Sequence, residues 1–300
     1  MELSFFYFGH LIIQLTVFLL AKKRERHYNL RMRRIVLIIE YDGTNYVGWQ
    51  VQPNGISVQE TAAKALAKLT GESLTLHASG RTDSGVHARA QVAHFDTESR
   101  IPADKFAFAL NTFLPPDIRI KASFELPGEG ENEFHSRFSV KKKHYRYTVL
   151  NSTHDCCFTR NYALHIHAPL DLDRLNAAAA LFLGEHDFKA FKASGSRAAT
   201  TVRTIYLSRW TRDGNYLYYD VAGSGFLYNM VRIMVGTMLR VGMGYDDLGL
   251  IENALAHPER SNAGDTAPAH GLMLYGVEYS EFDTEDILMQ SGSVISFTNR

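Results

Sequence analysis

Apolar residues in this chain fall into dense runs and helical stripes, separated by glycine, proline and charged residues. Residues 35–40 read Ile-Val-Leu-Ile-Ile-Glu, a β-branched run that predicts a buried strand. It stops at Tyr41-Asp42-Gly43, a turn signal. Over 57–70 the apolar period changes to that of a helix. Ser57 and Glu60 form a capping box, Ala62, Ala65, Leu66 and Leu69 share one face, and Gly71 is placed to end it. Residues 73–79 and 90–95 alternate like strands. A second helix is expected over 103–114, entered after Pro102 and stopped by Pro115-Pro116, with Phe106, Leu110 and Phe113 as a core stripe. A short strand follows at 117–122. The order strand, helix, strand, strand, helix, strand fits an open antiparallel sheet with helices on one face.

Residues 125–132 are rich in Gly, Pro and Glu and read as a loop. The second half repeats the mixture: an Ala-rich helix over 170–184, strands at 201–209 and 216–222, and a helix from 225 towards Val241. That last helix is apolar on nearly every side, which predicts burial. Residues 267–279 read as a loop and then an edge strand, and the acidic tail beyond Ser280 as loosely ordered. The class expected is therefore α+β, with two similar mixed or antiparallel-sheet domains, helices on one face, and a cleft between them. The expected boundaries are 33–137 and 138–280, flanked by an extension at 1–31 and an acidic tail at 281–300. Three hundred residues suit about two domains, and 45% apolar residues suffice for a core.

Chemistry concentrates between the strands at 73–79 and 90–95. Gly80–Ala88 reads Gly-Arg-Thr-Asp-Ser-Gly-Val-His-Ala. Two glycines bracket one carboxylate, Asp83, on a tight loop whose direction a sheet would fix. Two readings stand: Asp83 bonds its own turn with help from Ser84, or it is a reactive group. Arg81 could pair with Asp83 or reach for a phosphate. Residues 134–147 interleave Arg137, Lys141, Lys142, Lys143 and Arg146 with Phe138, Tyr145 and Tyr147. Cations that meet phosphates and rings that stack on bases suit a nucleic-acid surface. A solvated basic strand is the alternative. Alternation places Tyr145 and Tyr147 on one face and Arg146 on the other. Arg232 interrupts the apolar helix and needs a partner there or a route to the surface.

Formal net charge is zero, but residues 245–300 hold 10 acidic and 2 basic residues, leaving +8 on residues 1–244. A polyanion could use the basic portion. The two cysteines, Cys156 and Cys157, are adjacent, so no disulfide framework is expected and a reducing cytoplasmic compartment is. Residues 5–20 are mostly apolar but short for a membrane span and interrupted by His10 and Gln14. Membrane contact through them is not expected; a translation start at Met32 is. His165, His167, His154 and the cysteines lack the spacing of a zinc site, and no Walker loop or dinucleotide fingerprint occurs. No metal or cofactor is expected.

The Gly80–Ala88 stretch resembles the signature loop of the TruA family of tRNA pseudouridine synthases. Residues 46–52, 134–147, 225–236 and 267–279 are similar to further motifs of that family, in order, so the resemblance runs from about Arg33 to Tyr279. Ser136 departs from it, since the family usually has Ala there. The resemblance implies that Asp83 is the catalytic carboxylate, that Arg232 pairs with it, and that Tyr145 lies against the target base. It also implies a cofactor-free isomerase that acts on uridines 38, 39 and 40 of the tRNA anticodon stem-loop as a homodimer. Arg81, Lys143 and Arg146 are the expected substrate contacts. A glycosidase would need a second carboxylate, for which Asp42 is the candidate. A non-catalytic RNA-binding module would need no Asp83–Arg232 pair.

Overall fold

The computed structural model describes residues 32–130, 133–195 and 199–292. The extension at 1–31, with the expectations about its start and about membrane contact, lies outside the described residues. Among the described residues no helix is long and apolar enough to cross a membrane.

The strands are β1 (Arg33–Tyr41), β2 (His77–Ala78), β3 (His87–Thr97), β4 (Ile118–Leu126), β5 (Lys142–Asn151), β6 (Leu164–Ile166), β7 (Gly184–Asp187), β8 (Val202–Asp213), β9 (Tyr216–Gly223) and β10 (Leu272–Glu278). The helices are α1 (Val58–Thr70), α2 (Phe106–Leu110), α3 (Leu172–Ala180), α4 (Met230–Gly242), α5 (Gly249–Ala256) and α6 (Thr284–Gly292). Among the described residues the strands form one mixed sheet in the order β4-β1-β3-β10-β5-β9-β8-β7, with β2 on β3 and β6 on β5. Most neighbours are antiparallel; β10 runs parallel to β3 and β6 parallel to β5. The α+β class with a mixed sheet is as expected.

Local chemistry explains the well-predicted elements. Ser57 caps α1 by accepting from Glu60 N, and Gly71 closes it at φ 76°, the left-handed conformation glycine adopts without strain. Such a cap contributes about 1 kcal/mol. Glu60 turns from the capping box to pair with Lys64 one turn on. Val58, Ala62, Ala65 and Leu66 are buried as the stripe requires.

Four expectations are corrected. The helix at 103–114 is a 3-10 turn followed by five α-helical residues. Phe106 and Leu110 are buried but Phe113 is 46% exposed, because the chain leaves the helix before Phe113 can complete the stripe. The loop expected from residue 125 begins later, since β4 continues to Leu126 against Arg34 of β1. The strand at 272–278 is central instead of an edge: β10 is hydrogen-bonded to β3 on one side and β5 on the other. Part of the tail is ordered. Thr284 Oγ1 accepts from Val277 N, and α6 sets Leu288 against Ile38 and Ala90.

The main core is continuous across both halves of the chain. It includes Trp49, Phe95 and Phe106 from the first half and Trp210, Tyr219 and Met234 from the second. β3, β10 and β5 therefore form a rigid middle, and the loop that precedes β3 inherits its position.

Candidate active site

The loop between β2 and β3 is held at several backbone groups, the Asp83 carbonyl among them, which accepts from Val86 N at 3.1 Å. Lys143 Nζ donates to Ser79 O at 2.7 Å, and Gln91 Nε2 donates to Gly80 O at 3.0 Å. Trp49 N donates to Thr82 O at 3.1 Å, and Gly85 N donates to Tyr46 O. The Tyr41 hydroxyl lies 2.7 Å from Thr82 Oγ1. Two glycines permit this closeness. Gly85 turns at φ 76°. Gly48 sits at φ 99°, and a Cβ on it would stand 2.5 Å from Thr82 O and 3.0 Å from the Asp83 carbonyl carbon. His87, where β3 begins, ties the exit: its Nδ1 accepts from Gly43 N, and its Nε2 lies 2.9 Å from Asn161 O.

Asp83 emerges from this frame with its side chain 24% exposed. Arg232 Nη1 stands 3.5 Å from Asp83 Oδ2. Arg232 belongs to α4, whose apolar surroundings would not tolerate a loose cation. Its Nε donates to Ala267 O at 2.7 Å and its Nη1 to Asn229 Oδ1 at 2.8 Å. Asn229 has φ 58°, the one positive φ outside glycine among the described residues. Asparagine tolerates this conformation better than most residues. The turn starts α4 at Met230, five residues after the expected start, and aims the Asn229 side chain at the arginine. Burial pushes the Asp83 carboxyl above the usual carboxylate range, and the Arg232 charge opposes it without cancelling it. The pair thus presents an oriented acid with raised proton affinity, partly open to solvent.

Tyr145 stands on β5 opposite Val221 of β9 and Leu274 of β10. Its ring meets Phe226 edge-on at 5.2 Å. Burial raises the Tyr145 pKa well above that of free tyrosine, with Tyr41 and Asp83 adding to the effect. Nothing among the described residues hydrogen-bonds its hydroxyl, yet no sealed side-chain nitrogen or oxygen there lacks a partner. The residue as a whole is 8% exposed.

The remaining expected residues separate by strand face. Lys143 shares the Tyr145 face and sits beneath the loop, as above. Arg146 lies on the opposite face, in a two-pronged pair with Asp220 at 2.9 and 3.0 Å and 4.3 Å from the Tyr275 ring centre. Arg81 is exposed and makes no ion pair among the described residues. Asp42 is committed to Thr44 and to the Tyr162 hydroxyl, and among the described residues Asp83 is the carboxylate paired with Arg232. Sequence reasoning missed Gly48, Asn229 and Phe226. Only Asn229 carried a local signal, an asparagine ahead of an apolar helix.

Comparison with known proteins identifies the family of the chain. A family model described as tRNA pseudouridine synthase matches residues 37–139 and 178–280. The tRNA pseudouridine synthase A of Ruminiclostridium cellulolyticum is 49% identical over 249 residues, covering 83% of this chain and all of its own length. That of Acetivibrio thermocellus is 48% identical over 248 residues with the same coverage. Among solved structures, a chain of the archaeal box H/ACA sRNP Nop10-Cbf5 complex matches at TM-score 0.32 and 12% identity, over 68% of this chain and 44% of that one.

Proposed function

The chain belongs to the TruA family of tRNA pseudouridine synthases, and from that premise we propose that it isomerises uridine to pseudouridine in tRNA, at positions 38, 39 and 40 of the anticodon stem-loop. The observation that carries this reading is the ion pair of Asp83 with Arg232, on a loop tied by Lys143 to β5, the strand that also carries Tyr145. The reaction breaks the N1–C1′ bond of uridine, turns the base, and joins C5 to C1′. Asp83 has two routes: attack on C1′, or removal of a sugar proton. Both need it ionised, and the fixed guanidinium of Arg232 favours that state. A uridine inside a stem is out of reach, so the nucleotide must be extruded. Tyr145 would stack on the extruded uracil, its hydroxyl left free for the base. Arg81, exposed on the same loop, would contact the backbone or occupy the space the base leaves.

In this reading 33–137 carries the acid and 138–280 the arginine and the tyrosine. The enzyme acts in the cytoplasm as a homodimer, one tRNA touching both subunits. It uses no cofactor, since the bonds exchanged need neither an oxidant nor a metal.

The deciding experiment is release of hydrogen from C5 of uridine in unmodified tRNA, comparing wild type with Asp83→Asn. Wild type should release it, and the variant should be slower by at least about 10³-fold. No release by wild type removes the isomerase reading. Undiminished release by Asp83→Asn removes the acid from its role.

A further inference from the structure

Lys143, Arg203 and Arg137 differ from the basic residues that the fold pairs with acids. Arg33, Arg34, Lys142, Arg146 and Arg240 each meet a carboxylate. Lys143, Arg203 and Arg137 meet none among the described residues. Lys143 uses one ammonium donor on Ser79 O, and two remain. It lies so near the loop that a Cβ on Gly80 would be 2.5 Å from its Nζ. Arg203 crosses Gly225, where a Cβ would be 3.6 Å from its Nε. Its Nη1 donates to Thr200 O at 3.0 Å and Val202 O at 2.6 Å. Arg137 is exposed, its guanidinium 5.7 Å from the Phe138 ring centre.

The sheet brings Lys143 and Arg203 together, and Ser136, next to Arg137, donates its hydroxyl to His77 O on β2, the strand that enters the same loop. Gly223 of β9 is opposite Lys143 on one side and Ile205 of β8 on the other. Beyond Gly223 the chain reaches Gly225, under Arg203, and then Phe226, which packs on Tyr145. Burial pushes the Lys143 ammonium down to about 8, with the charges of Arg137 and Arg203 adding to it. Burial alone lowers Arg203. Half-buried like charges with no counter-charge are unfavourable until an anion joins them. Lys143 and Tyr145 are two residues apart on one strand face, about 7 Å. That is the scale of one nucleotide, from a base on the tyrosine to its phosphate on the lysine.

We propose that Lys143, Arg203 and Arg137 form a phosphate subsite at the mouth of the cleft, which takes the phosphodiester flanking the extruded uridine. The subsite rests on the RNA reading above and adds the place where the backbone is gripped. Glycine at 80 and 225 keeps the approach clear of side chains.

The test is binding of unmodified tRNA across a salt series, for wild type, Arg203→Ala, Arg137→Ala and Arg203→Lys. Arg137 is exposed, so its variant is insulated from folding defects; a thermal melt checks the Arg203 variants. Each alanine variant should bind about tenfold more weakly and lose about one unit of slope in log affinity against log salt. Arg203→Lys should keep most of the slope. Unchanged slopes in both alanine variants overturn the subsite. A competition arm uses inorganic phosphate. Inhibition that needs Arg203, with unchanged tRNA slopes, would mark a free-anion site and also overturn the proposal. Hydrogen release by wild type is scored separately. Its absence beside the expected slopes would remove the isomerase reading and leave the RNA phosphate contact standing.

Discussion

Arg232 and Ala267 hold each other twice: Ala267 N donates to Arg232 O at 3.1 Å, and Arg232 Nε donates to Ala267 O at 2.7 Å. The cation facing Asp83 is thus fixed to the segment that leads into β10, at its backbone and at its head group. Lysine has no planar fork to reproduce this. Arg232→Lys and Arg232→Gln should both lower kcat/KM by about 10²-fold or more. The pH profile separates a lost charge from a lost shape. On the proposed mechanism activity needs ionised Asp83, so it should rise with pH through a pKa that burial has raised and Arg232 holds down. Arg232→Gln should move that acid limb to higher pH, and Arg232→Lys should move it less. An unmoved limb in Arg232→Gln would show that the cation does not act on the acid.

Gly48 controls where the acid sits, from outside the loop. At φ 99°, with Thr82 O in the path of a Cβ, Gly48→Ala should cost about 2 kcal/mol or more. It should also cut turnover by about 10²-fold, since a displacement near 1 Å is enough for that. Thermal melting and single-turnover kinetics read the two effects. Full activity with a normal melt would mean that the loop yields without moving its carboxylate.

Arg81 is exposed and makes no ion pair among the described residues, and the proposed function gives it to the RNA. Arg81→Ala should slow turnover on folded tRNA more than on a short unstructured RNA, because only the former must open a stem. Equal slowing on both would assign the residue to general affinity.

His144 sits between two carboxylates, with Nε2 2.8 Å from Asp220 Oδ1 and Nδ1 2.8 Å from Glu285 Oε1. Burial disfavours its charge, but the two acids outweigh this and raise its pKa. The contact with Glu285 staples α6 to β5. A pKa raised in the folded state stabilises fully below the unfolded value of about 6.5 and loses that contribution as pH rises through the folded value. Glu285 is lowered by the same contact, so its share is lost in acid. The melting-temperature gap between wild type and His144→Gln should be greatest near pH 6 and narrow towards alkaline pH. A gap independent of pH would mean that only packing is lost.

The catalytic loop was legible because its signal is local: two glycines around an acid, between two strands. Short-range rules likewise found the Ser57 cap, the Gly71 stop and the burial of Tyr147. Faces of β5 were legible as alternation, which separates Arg146 from Tyr145. The partner of each polar residue was not. Arg146 looks like an RNA contact in a basic run, and only the register with β9 shows Asp220 opposite it. The central place of β10 was hidden for the same reason, since strand order depends on contacts far apart in sequence. Phe113 failed because a stripe at helical spacing does not say where the helix ends.

The position of β10 has a consequence for how the protein is made. This strand joins the acid-bearing half to the tyrosine-bearing half, and it follows both of them in the chain. The nascent chain must hold β3 and β5 apart, each with an unpaired side, until β10 has been made. A working cleft then closes in a single late step, and a prematurely terminated product would be left with two sticky, inactive halves.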